Sequence, residues 1–78
     1  MVKKIKLIWD FFGEEAKPIA EHHVIHLKEF AMNNSIEFHN SDVEEINENQ
    51  FIAFLTVDQD NMITVRDALK PHRGEWAD

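Results

Sequence analysis

The chain has 78 residues, no cysteine, and 15 acidic against 8 basic side chains, for a formal net charge of −7 at pH 7. The absence of cysteine excludes disulfides and thiolate metal ligands, and the negative charge disfavours nucleic acid and anionic membrane surfaces as partners. A chain of this length predicts one domain, 1–78, whose small core favours oligomerisation. No apolar run suits a signal peptide or a membrane span, so a cytoplasmic protein is expected.

The first predicted element is a strand over 2–12, because apolar side chains recur there with a period of two. The face predicted to carry the helices holds Ile5, Leu7, Trp9 and Phe11. On the opposite face, Ile8 and Phe12 add more apolar surface than a solvated sheet requires.

A helix over 14–32 follows, and it carries the longest apolar stripe in the chain. At about 100° per residue, Ala20, Leu27 and Ala31 mark the centre of the buried face. His23 falls at the edge of that face, whereas His22 and His26 fall outside it. We expect Pro18 to be tolerated in the first turn, and Asn33-Asn34-Ser35 to end the helix, because asparagine takes the left-handed conformation more readily than other non-glycine residues.

The remaining elements are two strands, a short helix and a tail. A half-buried strand is predicted at 36–39 with a bulge or kink near Asn40, and a second strand at 50–57 is apolar on both faces, as a central strand would be. Asp60 is the predicted N-cap of a helix that ends before Pro71. We expect Trp76 to anchor a last short strand or an arm.

This order resembles the ferredoxin-like βαββα(β) arrangement, an α+β fold in which an antiparallel sheet carries two helices on one face. The right-handed crossover rule then places the first and third strands in the middle of the sheet. Four apolar residues would meet on the helix-free face: Ile8, Phe12, Ile52 and Phe54. The predicted cover for this patch is the same patch of a second copy, which gives an isologous homodimer with paired sheet faces.

With these two-faced strands, the chain resembles a small member of the dimeric α+β barrel superfamily. That resemblance implies a homodimer and leaves the activity open, because the superfamily includes cofactor-independent monooxygenases, small isomerases and proteins of unknown activity. No cofactor is expected.

The first candidate site centres on His23, which would face the sheet beside Trp9. In this hypothesis His23 is a general base in an aromatic cavity and Asp10 orients it. The alternative is a partly buried histidine satisfied by one hydrogen bond.

His22 and His26 lie one helical turn apart, a spacing that can place two imidazoles on zinc, nickel or copper. A third ligand would have to come from His39, His72, Asp10 or a partner chain. The alternative is two surface histidines, and any metal bound by them is predicted to be adventitious, since no third ligand is guaranteed and the protein should fold without it.

The tail offers His72 and Arg73 as an anion-binding corner, in which the guanidinium would hold a carboxylate or phosphate. Alternatively, these basic groups complement the end of their own helix and the acidic hairpin. The preferred function is binding of a small organic ligand between sheet and helices, with Trp9, His26, His72 and Arg73 as ligand contacts. The alternatives are a cofactor-independent enzyme that uses His23 and Asp10, and a non-catalytic interaction module.

Overall fold

A computed structural model describes residues 3–77. The elements in chain order are β1 (Lys4–Phe12), α1 (Ala16–Asn33), β2 (Phe38–Asn47), β3 (Gln50–Asp58), α2 (Gln59–Leu69) and β4 (Arg73–Trp76). The strands form one antiparallel sheet in the order β2-β3-β1-β4. The predicted βαββαβ order and the central position of β1 and β3 are therefore confirmed, and the topology is consistent with a ferredoxin-like fold.

Both helices pack on the same face of the sheet, through one hydrophobic core. Buried residues of both helices and of the central strands share this core, among them Leu27 of α1, Val65 of α2, Leu7 of β1 and Leu55 of β3. Fully burying an aliphatic side chain of this size stabilises the fold by roughly 1.5–3 kcal/mol. The odd-numbered face of β1 is the helix-bearing face, as its alternation predicts.

The buried stripe of α1 agrees with the predicted helical phase. Ala20, Leu27 and Ala31 are each fully buried. His23 is half-buried, whereas His22 and His26 are exposed. Three residues at one angular position therefore fix the rotation of α1 about its axis, and the histidines take their positions from that rotation.

Helix α1 ends at Asn33, within the predicted stop, but the left-handed residue is not an asparagine. The backbone of Asn34 is not left-handed, and Ser35 takes the positive φ of 55° instead. The N–H group of Ile36 then donates to the carbonyl of Ala31 at 2.8 Å. Because Ile36 completes the helix terminus, β2 begins at Phe38 rather than at residue 36.

Strand β2 is longer than the alternating segment at 36–39, and α2 is preceded by a different residue from the predicted one. β2 continues to Asn47, with register irregularities between Phe38 and Asn40 and between Glu45 and Asn47. The bulge or kink predicted near Asn40 is therefore confirmed, and the strand continues beyond it. The predicted N-cap of α2 is wrong, because Asp58, with extended backbone, precedes the helix and Asp60 lies in its first turn.

The helix-free face carries a second, smaller cluster formed by Ile8, Ile52 and Phe54, which are 1%, 2% and 7% exposed. Part of its cover is a charged side chain, since the Lys6 ammonium lies 4.3 Å from the centroid of the Phe54 ring. Phe12, by contrast, is 71% exposed. The premise that all four apolar residues form an open patch is therefore wrong for three of them.

None of the helices in the described part of the chain is long and apolar enough to span a membrane.

Candidate functional site

The His23 imidazole lies against two aromatic rings of β1. Its centroid is 5.2 Å from that of Trp9 and 5.4 Å from that of Phe11, with the rings tilted or edge-on. Strand alternation places Trp9 and Phe11 on the helix-bearing face, and helical phase turns His23 toward them. The predicted proximity of His23 to the aromatic face of β1 is confirmed.

The Nε2 atom of His23 is buried and has no hydrogen-bond partner within residues 3–77. Burial lowers the pKa of His23 below its usual 6.5, and His26, His72 and His22 lower it further by charge repulsion. The neutral imidazole is thus the favoured form near neutral pH. An unpaired buried polar atom typically costs about 1–3 kcal/mol, so this nitrogen is a site where an added partner would be stabilising.

The two helices are separated above this part of the sheet. No α carbon of α1 lies within 8 Å of an α carbon of α2. The indole Nε1 of Trp9 donates to the carbonyl of Leu69 at 2.9 Å, which ties the end of α2 to the sheet beside His23. The two helices therefore leave a seam between them over this part of the sheet.

Asp10 lies on the opposite face of the sheet. It accepts hydrogen bonds from Arg73 Nε at 3.1 Å, from an Arg73 terminal nitrogen at 3.2 Å and from Gln50 Nε2 at 3.2 Å. The hydrogen bonds from Arg73 are the largest cause of a lowered pKa for the Asp10 carboxyl, and Gln50 adds to them against the opposing effect of burial. Asp10 also raises the pKa of Arg73, which stays fully charged.

His72 and Arg73 secure β4 to β1 beside this carboxylate. The backbone N–H of Asp10 donates to His72 Nδ1 at 2.8 Å, which requires that nitrogen to be unprotonated. The backbone N–H of His72 donates to the carbonyl of Ile8 at 2.9 Å. A further Arg73 nitrogen donates to Glu75 at 3.1 Å.

The structure thus divides the predicted site residues between two faces. His23 and Trp9 meet on the helix-bearing face, and Asp10, His72 and Arg73 meet at the other face and its β4 edge. Asp10 does not orient His23, because its hydrogen bonds go to Arg73 and Gln50. This separation follows from strand alternation alone, since residue 10 must point to the opposite face from residues 9 and 11.

Two residues that the sequence pattern does not indicate also contribute: Gln50 donates a hydrogen bond to Asp10, and the carbonyl of Leu69 accepts one from Trp9. Gln50 lies opposite Phe12 in the β1–β3 register, and Leu69 lies at the end of α2. Both contribute through positions set by long-range register, for which the local pattern carries no signal.

His26 lies outside both clusters, on the exposed face of α1. Its Nε2 atom is 2.8 Å from His22 Nε2, and its Nδ1 atom is 3.6 Å from a Glu29 carboxylate oxygen. Across residues 3–77, no three side chains of histidine, aspartate or glutamate are grouped so that they could hold a metal ion together. The third ligand considered from the sequence is therefore not supplied by His39, His72 or Asp10.

Comparison of the chain with protein-family models, with curated proteins and with solved structures found no significant match. The fold and the site geometry define a small α+β protein with a four-stranded antiparallel sheet, two helices on one face, and an unsatisfied histidine of α1 against β1.

Proposed function

We propose that the protein binds a small, uncharged organic compound between sheet and helices, beside His23. The observation that supports this proposal is the buried, unpartnered Nε2 of His23 against the rings of Trp9 and Phe11. A ligand hydroxyl or carbonyl would satisfy the nitrogen, and an apolar or aromatic body would contact the two rings.

The charge state of His23 selects among ligands. Because burial lowers its pKa, the imidazole is neutral near neutral pH and can either donate to a carbonyl or accept from a hydroxyl, depending on its tautomer. A carboxylate would instead favour the protonated ring, which burial disfavours. Neutral carbonyl compounds and phenols are therefore the proposed ligand class.

The test is chemical-shift mapping with phenol, acetophenone and cyclohexanone as probes. The chain provides its own reference, because Trp9 is 3% exposed beside His23 whereas Trp76 is 56% exposed on the edge strand. We expect a probe to shift the indole N–H signal of Trp9 and to leave that of Trp76 unchanged.

Two variants separate the polar contact from general apolar binding. His23→Phe keeps an aromatic ring and removes the nitrogen, so we expect the affinity to fall about fivefold to tenfold, as for a hydrogen bond worth about 1 kcal/mol. His39→Gln, a change at an exposed histidine, should leave the affinity unchanged. Equal probe binding by wild type and His23→Phe, or no shift of the Trp9 indole, would contradict the proposal.

The enzyme hypothesis receives less support from the geometry. A histidine base is usually oriented by a second group, and Asp10, its predicted orienter, is on the other face of the sheet. Within residues 3–77, the buried Nε2 of His23 has no hydrogen-bond partner that could replace Asp10.

An interaction module is the second candidate, because several large apolar side chains are exposed. On the outer side of α1, Ile25 is 56% and Met32 72% exposed, and these residues lie two helical turns apart on one side of the helix. Homodimerisation through the helix-free face remains a prediction. Since Ile8, Ile52 and Phe54 are already covered, a second copy would bury mainly Phe12 there.

A further inference from the structure

On the exposed face of α1, the imidazole rings of His22 and His26 lie close together. His22 and His26 are both exposed, their ring centroids are 4.5 Å apart, and their Nε2 atoms are 2.8 Å apart. One ring must donate and the other accept for this contact to be a hydrogen bond, so only one of the two Nε2 atoms carries a proton.

The separation of the nitrogens matches the bite of a metal chelate. Two metal–nitrogen bonds of about 2.0–2.1 Å that meet at 90° place the nitrogens about 2.9 Å apart, whereas a tetrahedral angle places them about 3.3–3.4 Å apart. The observed 2.8 Å is close to the first value. Adjacent ligands at 90° are typical of the tetragonal sites of Cu²⁺ and Ni²⁺.

The neighbouring carboxylate supports the same arrangement. A Glu29 oxygen lies 3.6 Å from His26 Nδ1, so its charge favours a proton on Nδ1 and leaves Nε2 available as a ligand. Carboxylates that accept a hydrogen bond from the second nitrogen of a metal-binding histidine orient its ring, and a small rotation would bring Glu29 into that position. Because both rings are exposed, the His22 proton can move from Nε2 to Nδ1 through water, and small rotations of the two side chains then direct both lone pairs to one point.

We propose that His22 and His26 form a surface site for a divalent transition metal ion of the copper or nickel class. The ion is held by two adjacent imidazole nitrogens, and water occupies its other positions. This site is separate from the proposed ligand site, since both of its rings point away from the sheet.

The experiment adds Cu²⁺ to the metal-free full chain in a non-coordinating buffer, with calorimetry for affinity and electron paramagnetic resonance for the ligand set. We expect one ion per chain and a tetragonal spectrum with coupling to two imidazole nitrogens. His22→Gln and His26→Gln should each reduce the affinity about tenfold or more and leave coupling to one nitrogen, because loss of either ring ends two-point attachment.

His39→Gln is the matched control, because it removes one exposed imidazole elsewhere on the surface. It should bind Cu²⁺ as the wild type does. The proposal is overturned if all three variants bind alike, if His39→Gln weakens binding most, or if the wild-type spectrum shows a single nitrogen. Circular dichroism of each variant verifies that a loss of affinity is not a loss of fold.

Discussion

The ion pair between Asp10 and Arg73 should make the stability of this protein depend on one carboxylate. The Asp10 side chain is 13% exposed and accepts two hydrogen bonds from Arg73 and one from Gln50. Asp10→Asn keeps the shape and removes the charge. Hydrogen bonds to charged groups contribute about 1.5–3 kcal/mol, and because Arg73 is partly solvated we expect a total loss of about 2 kcal/mol.

Urea unfolding at pH 7 measures this loss. With a slope of about 1 kcal/mol per molar urea for a small domain, the unfolding midpoint should fall by about 2 M. The matched control is Asp67→Asn, which removes a carboxylate that is 64% exposed and 3.4 Å from Arg66. For that surface pair we expect a change of about 0–0.5 kcal/mol.

The pH dependence gives an independent check. Because the folded state lowers the pKa of Asp10 below 3.8, the unfolded chain binds this proton first as the pH falls. The stabilisation is therefore complete above pH 3.8 and is lost as the pH falls through the folded-state pKa. The difference between wild type and Asp10→Asn should shrink in that range. An Asp10→Asn midpoint no lower than that of Asp67→Asn at pH 7, or a difference independent of pH, would refute the reasoning.

Four further predictions concern the hydrophobic core, the titration of His23, dimerisation and the effect of a chelator. Leu27→Ala, at a fully buried position, should destabilise the fold by about 2–5 kcal/mol in the same urea assay. In metal-free protein, proton NMR should show His23 titrating below 6.5, and a normal exposed titration would contradict its burial. Sedimentation should show a dimer that Phe12→Ser converts to monomers, whereas a wild-type monomer at micromolar concentration would rule out that interface. In protein to which no metal has been added, chelator should leave the melting temperature unchanged, since a large drop would reveal a structural metal.

The spacing of apolar residues along the chain was sufficient to predict much of the fold. The period of two in 2–12 and the both-faced apolar strand at 50–57 placed β1 and β3 in the middle of the sheet. The errors occurred at element ends. Ser35 rather than an asparagine is left-handed, and Asp58 rather than Asp60 precedes α2, because several polar residues in each loop can end or begin a helix and the path of the chain selects one.

The candidate site was predictable only as far as local geometry extends. The stripe centred on Leu27 determines which way His23 faces, since rotation of a helix by one residue is about 100° and would expose the stripe. The same local rule separates Asp10 from Trp9, because neighbouring residues of a strand point to opposite faces.

Only the tertiary structure decided which distant groups meet. Arg73 reaches Asp10 and Leu69 reaches Trp9 across more than half of the chain, through the register of β4 against β1 and the end position of α2. The contact of Lys6 with the Phe54 ring likewise depends on the register of β1 against β3 and on the reach of the lysine side chain. Periodicity reports the face on which a side chain lies, but its partners depend on strand register and side-chain reach, which are properties of the packed chain.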